Sequence, residues 1–343
     1  MKYLLIACMC GVALTAANPV RAQGHPVRIL YDTDLGPDSD DAGALALLHA
    51  LVNRGEAVIL GVTCSTTSPW CAPAADAIDT YYRRPDVPVG TLKGAGPAGG
   101  SEEWYGDSFN GYVAGHFSND LHHGSNATDA LVLYRRILAE QPDTSVVIVA
   151  TGPLTNLRNL LASQPDSISR LDGIDLVRRK VKALSVMGGK YPEGGESNFM
   201  VDAAATKLVV ETWPTPITFS GFEIGVDLLT GPRLRTETPP NNPVTTAYHL
   251  WDLYFARRFQ PDFDPDTGIW PHSSYDQTAM LYAVRGLRDY WTAQTTGRNV
   301  IHEDGSNAWQ SSPDSEQAYL IERMPREQLA KIIEDLMVAP PEQ

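Results

Sequence analysis

Val27-Arg-Ile-Leu-Tyr31-Asp32-Thr-Asp34-Leu-Gly-Pro-Asp38-Ser-Asp40-Asp41 is the stretch from which the rest of the chain can be read. Val27 to Tyr31 is a short apolar run of the kind that a sheet buries, and from Asp41 to Arg54 the residues Leu45, Leu48 and Leu51 recur at helical spacing. Asp32 to Asp41 holds five carboxylates in ten residues. Anions this close repel one another, and the dipole of the helix start can compensate only Asp40 or Asp41. A hard divalent cation can compensate the others, and carboxylates without histidine or thiolate favour calcium or magnesium over zinc. The bland alternative is a solvated acidic loop that caps a helix. Position argues against it, because the loop follows the carboxyl end of a strand, where open α/β sheets place their ligands.

Outward from this loop, strands and helices alternate. Val58 to Thr63, Val87 to Gly90, Ser145 to Ala150, Val181 to Met187 and Pro216 to Ser220 read as strands. Ala72 to Arg84, Ala130 to Gln141, Pro153 to Ala162 and Ala203 to Glu211 read as helices. The alternation predicts a mainly parallel sheet with helices on both faces. Lys93 to Asn126 has no period and is rich in Gly, Ser, Asn and aromatics, so residues 93–126 are expected to form a lid or insertion. From Gly231 to Ser274 the chain is rich in proline and acid, and a helix follows near Asp276. Tyr290 to His302 and Ala318 to Arg323 alternate as strands do, and Pro325 to Met337 is an amphipathic helix. The expectation is one α/β domain over residues 23–343: a single open mixed sheet with a C-terminal α+β extension. Two further loops sit at equivalent strand ends. Thr151-Gly-Pro-Leu-Thr-Asn156 follows Ala150, and Gly188-Gly-Lys-Tyr-Pro-Glu-Gly-Gly-Glu196-Ser-Asn198 follows Met187. Their glycines let backbone approach a ligand closely.

The 343 residues carry 27 Lys and Arg against 41 Asp and Glu, a formal charge of −14. Such a surface repels nucleic acid and anionic membranes, and suits a neutral small molecule or a cation. Residues 1–22 are expected to be a secretory signal. Met1-Lys2 is a positive start, Tyr3 to Ala17 is uncharged and too short to span a bilayer, and Val20-Arg-Ala22 offers small residues for cleavage. Leu5-Ile-Ala-Cys8 also reads as a lipoprotein box, but Cys8 lies close to the start and the apolar run continues past it. Loss of Lys2 and Arg21 takes the formal charge to about −16, and the mature chain is expected in the periplasm or outside the cell, free of the membrane. Of four cysteines only Cys64 and Cys71 remain. In an oxidising compartment they can close a short loop, and two buried thiols are the alternative. Without a histidine pair they do not make a zinc site.

In order along the chain, four motifs resemble those of the inosine–uridine-type nucleoside hydrolases. They are Asp32-Thr-Asp-x-Gly-x-Asp-x-Asp-Asp41, Thr151-Gly-Pro-Leu-Thr-Asn156, Met187-Gly-Gly with Glu196-Ser-Asn198, and Ser274-Tyr-Asp-Gln-Thr-Ala279. The first is highly specific, and the match runs from about residue 27 to 285. The resemblance implies a nucleoside hydrolase-like fold with a Rossmann-like core, and calcium-dependent hydrolysis of ribonucleosides to ribose and base, as in nucleoside salvage. By the same resemblance, Asp34 is the base that activates a calcium-bound water while touching the metal. Asp41 and Asp276 ligate Ca2+ through carboxylates and Thr151 through its carbonyl, while Asp40, Glu196 and Asn198 hold the ribose hydroxyls. Asp38 falls where the family's shorter motifs lack two residues and stays outside the ligand set. A homo-oligomer, dimer or tetramer, is compatible with this reading. The chemistry agrees: breaking a C–N glycosidic bond develops positive charge on the sugar, which carboxylates stabilise.

The sequence also departs from that pattern. Tyr275 stands where the family often has a histidine that protonates the departing base, so Tyr275 itself, Tyr105, His116 or His272 would have to replace it. The loop after the second strand normally offers asparagine to the sugar; here Ser65 to Trp70 occupies it, with Ser68 nearest by count. Trp104, Tyr105 and Phe109 can stack on a base or fill the core of a lid. Two other readings remain. Asp32-Thr-Asp34 resembles the start of magnesium-dependent haloacid-dehalogenase-type phosphatases, whose downstream lysine and Gly-Asp pair cannot be placed here. A catalytically silent nucleoside- or calcium-binding protein would keep the fold, and Tyr275 favours it.

Overall fold

The computed structural model describes residues 25–342 apart from 37, 99–108, 257, 259, 261 and 314. The segment read as a secretory signal lies outside the described residues, as do Trp104 and Tyr105.

β1 (Val27–Thr33) sends Ile29 and Tyr31 into one core cluster and Leu30 into another. That is the period of two of a strand whose faces are both covered, and it explains why the strand reads as an unbroken apolar run. The strands that follow are β2 (Ala57–Cys64), β3 (Val89–Thr91), β4 (Thr128–Asp129), β5 (Val146–Ala150) and β6 (Val181–Met187). Next come β7 (Glu193–Gly194), β8 (Ile217–Ser220), β9 (Leu229–Thr230) and β10 (His272–Ser273). The last four are β11 (Trp291–Gln294), β12 (Arg298–Ile301), β13 (Asn307–Gln310) and β14 (Gln317–Glu322). Nine of them form one open sheet in the order β11-β14-β8-β6-β5-β1-β2-β3-β4. Only the β11–β14 pair is antiparallel, so the sheet is mixed but mainly parallel, as expected. The register sets Asp32 beside Thr63 of β2 and Ala150 of β5. The loops leaving β1, β2 and β5 therefore start at one level.

One face is covered by the helices Asp40–Asn53, Cys71–Tyr81, Tyr275–Arg285 and Arg326–Met337. The other carries Ala130–Glu140, Thr155–Ala162, Gly173–Lys180 and Ala203–Thr212. Gly43 is where the first helix meets its neighbours. A Cβ there would lie 2.6 Å from Gln277 Nε2 and 3.1 Å from Met337 Cε, so the last helix of the chain packs directly behind the acidic loop. Cys64, ending β2, is disulfide-bonded to Cys71, which starts the next helix, with Cα atoms 6.1 Å apart. Of the two alternatives left open by the sequence, the disulfide is the one formed.

Local features differ from the sequence reading in several places. Within residues 93–126, which show no period, Phe109–His116 is a helix with Phe109 and Val113 in the core. The long strand expected over Tyr290 to His302 is cut in two at Gly297, whose φ of +143° breaks the ladder; β12 then joins β13 and β7 in a separate three-stranded sheet. The described part of the proline-rich stretch after Gly231 includes the helices Pro232–Glu237 and Pro243–Trp251, each with proline in its first turn, where its missing N–H costs nothing.

Candidate active site

The carboxyl ends of β1, β5 and β6 open into a cavity of about 320 Å³. It is lined by Asp34, Asp38, Asp40, Asp41, Thr151, Glu196, Asn198, Tyr275 and Asp276, together with Met187 and Phe222. Of the nine residues given a catalytic, metal-binding or substrate-binding role in the sequence, Ser68 is the one missing from this wall.

Asp32 turns away from it. Its Oδ2 accepts hydrogen bonds from Thr63 (2.6 Å), Asn156 (2.8 Å) and Tyr134 (2.9 Å), and burial raises its carboxyl to about 6. The first aspartate of the motif thus ties β1 to β2 and to two helices. Those three donors compensate its charge without a cation in the cavity, and Asp32, fully buried, cannot serve as the exposed nucleophile that the phosphatase reading requires. Thr33 donates to Asp41 Oδ1 and receives the N–H of Leu35, which shapes the first bend of the loop.

Asp40 reaches across 235 residues. Its Oδ2 accepts the N–H groups of Tyr275 (2.8 Å) and Asp276 (3.0 Å), capping a helix whose own N-cap, Ser274, makes no side-chain bond to the helix N–H groups. Asp276 is thereby brought to Asp40 and Asp41. Oxygens of Asp38, Asp40 and Asp41 all lie within 4.8 Å of one another. Burial first, then the neighbouring carboxylates, holds Asp34, Asp40 and Asp276 well above the usual carboxylate range and lifts Asp41 to about 6. Asp276 Oδ2 is buried with no hydrogen-bond partner among the described residues. An all-oxygen donor set, an orphaned buried oxygen and mutual repulsion together fit a hard divalent cation.

Glu196 and Asn198 form the next wall. Glu196 caps the short helix Ser197–Val201, accepting from Asn198 N (2.7 Å), Gly189 N (3.0 Å) and Phe199 N (3.2 Å); burial lifts its carboxyl to about 7. Asn198 Nδ2 donates to the Thr151 carbonyl at 2.9 Å, the oxygen expected to face the metal. A carbonyl has two lone pairs, so that bond orients the group without exhausting it.

Ser68 lies in the loop after β2, where its hydroxyl accepts the N–H of Trp70 at 3.3 Å. β2 runs on to Cys64, which leaves Ser65 at the strand end, and neither Ser65 nor Ser68 lines the cavity. A Cβ on Gly152 would meet Ser65 Oγ and lie 2.9 Å from Asp34 Cβ, so Ser65 and Asp34 both pack against Gly152.

His272 is buried, with both ring nitrogens engaged: Nδ1 with Ser39 Oγ at 2.7 Å and Nε2 with Asp252 Oδ1 at 2.8 Å. Asp252 Oδ2 in turn accepts Trp270 N at 2.8 Å. This buried chain braces the residue before Asp40. His116 stacks on the exposed Tyr112 at 3.8 Å, on the helix Phe109–His116. His272→Ala strips Ser39 and Asp252 of a buried partner and should cost about 3 kcal/mol of stability, measured by urea unfolding.

An α/β protein with a carboxylate cavity at its strand ends is the class that fold and site define. The family model for inosine-uridine preferring nucleoside hydrolase matches residues 29–330, and the chain belongs to that family. It is 27% identical over 262 residues to the pyrimidine-specific ribonucleoside hydrolase RihA of Shewanella sp. (strain MR-4), covering 71% of this chain and 76% of that protein. With RihA of Enterobacter sp. (strain 638) it shares 28% identity over 159 residues, 42% of this chain and 47% of that one, so the match spans about half of that relative's length. The structure of a purine-preferring ribonucleoside hydrolase from Gardnerella vaginalis superposes with a TM-score of 0.66 at 16% identity, over 90% of this chain and 98% of that one, a likeness of fold.

Proposed function

We propose that the chain hydrolyses the N-glycosidic bond of ribonucleosides, releasing ribose and a free base. One observation carries the reading: a single cavity gathers Asp34, Asp41, Asp276 and Thr151 beside Asp40, Glu196 and Asn198, although they come from four separate parts of the sequence. The first four would hold Ca2+, with Asp38 an additional oxygen at the rim. When bound, the cation acidifies water and draws the 2′ and 3′ hydroxyls of the sugar. Asp34, only 8% exposed, takes the proton of the attacking water. Asp40 and Glu196 accept the ribose hydroxyls on the lone pairs that their backbone N–H partners leave free. The same carboxylates stabilise the positive charge that grows on the sugar as the C–N bond lengthens.

Residues 1–22 complete the reading as a secretory signal, placing the mature enzyme in the periplasm or outside the cell; the Cys64–Cys71 disulfide supports this, since such bonds persist in oxidising compartments. The test uses purified protein with calcium and four substrates, inosine, adenosine, uridine and cytidine, following release of reducing sugar. Relatives named for opposite base preferences make both classes necessary. Sugar release from any of the four supports the reading. Binding without release from all of them would leave a silent nucleoside-binding protein instead.

A further inference from the structure

Among the described residues lining the cavity, every charged side chain is a carboxylic acid: Asp34, Asp38, Asp40, Asp41, Glu196 and Asp276. One divalent cation offsets two charges, so a wall of six carboxyl groups keeps an attraction for a substrate that is itself positive. Part of the same wall is aromatic. Phe222 and Tyr275 stack with ring centroids 5.5 Å apart, and the Phe222 ring already attracts a cation, Lys190 Nζ, at 5.6 Å. The two described imidazoles that the sequence offered as proton donors to a departing base are occupied elsewhere. His272 is spent on Ser39 and Asp252, and His116 on its stack with Tyr112.

We propose that the preferred substrates are N-ribosyl pyridinium cations, in which the heterocycle is aromatic and the glycosidic nitrogen carries the positive charge. This rests on the N-glycoside reading above and narrows it. The chemistry suits such a cavity. The water oxygen bonds to C1′ and the C1′–N bond breaks, its electron pair passing to the ring nitrogen, so the heterocycle leaves neutral. Water loses one proton, taken by Asp34 and passed to solvent. With uridine that proton must end on the departing base; with a pyridinium riboside no donor to the leaving group is needed.

The experiment compares nicotinamide riboside with uridine and inosine, using the calcium-loaded protein. The pyridinium substrate should show a kcat/KM at least about 10-fold higher. Its KM should rise several-fold between about 20 and 500 mM NaCl, where screening shortens the reach of the carboxylates, while that of the neutral nucleosides holds. Pyridinium ribosides are intrinsically labile, so a binding readout decides. The N-methylnicotinamide cation should inhibit turnover competitively at least about 10-fold better than neutral nicotinamide, which has nearly the same shape. Lys190→Gln, which removes a competing cation beside the aromatic wall, should strengthen that inhibition; Phe222→Leu should weaken it. Equal inhibition by the two probes, or a KM for nicotinamide riboside indifferent to salt, overturns the substrate assignment. If uridine or inosine is hydrolysed in that case, the N-ribohydrolase reading still stands. No sugar release from any of the three substrates, nor from adenosine or cytidine, overturns that reading as well.

Discussion

Asp34→Asn should lower kcat by a factor of about 10² to 10⁴ while the protein stays folded, the usual loss when a positioned base is removed. Asparagine matches aspartate in volume, so the packing against Gly152 survives. What disappears is one proton acceptor and one negative charge. Burial and the charges of Asp41 and Asp38 already hold the Asp34 carboxyl above its usual range, so loss of that charge relieves repulsion. The variant should accordingly melt no lower than the wild type in the absence of metal. Steady-state kinetics at saturating calcium, paired with a melting curve, separates the two effects. Turnover at the wild-type rate would shift the base to Asp38, the next carboxylate of the wall.

Chelation should abolish activity and lower the melting temperature together. A cation present at 1,000 times its Kd adds about 4 kcal/mol to folding, and on a chain this long that corresponds to a shift of about 5–8 °C. Asp276→Asn should reproduce the inactive state without chelator, because it replaces a carboxylate of the cavity wall whose Oδ2 is buried and unpartnered. The variant should then melt at the same temperature with and without chelator. Readdition of calcium to the stripped wild type should restore both signals; recovery with magnesium alone would name the smaller ion instead. A melting temperature and metal content that ignore chelator would remove the metal from the site.

Much of this site was legible because its parts are short and local. The β1 loop, the Thr151 loop and the Gly188 to Asn198 loop each announce themselves by a strand that stops at a cluster of acid or glycine. What stayed hidden depends on distant partners. Nothing near Asp32 reveals that Thr63, Tyr134 and Asn156 will converge on it, so it reads like its neighbours in the acidic cluster although it faces the protein. The helix Gly173–Lys180 was missed although its signals are local: Asp172 caps it, and Arg178, Arg179 and Lys180 crowd its last turn. β14, slotting in beside β8, is a choice of sheet neighbour that no local pattern encodes.

The capping of Tyr275 and Asp276 by Asp40 has a consequence for the order in which the protein comes into being. During synthesis the acidic loop emerges early, but its capped partner lies 236 residues downstream, and Arg326–Met337, which also packs against Gly43, lies farther on still. Closing so long a span carries an entropic cost that must be met before its contacts reward it, which places this contact late in folding. A chain that stops short of Asp276 therefore holds most of the cavity's acidic groups without the helix that Asp40 caps, and the site closes only when that helix docks.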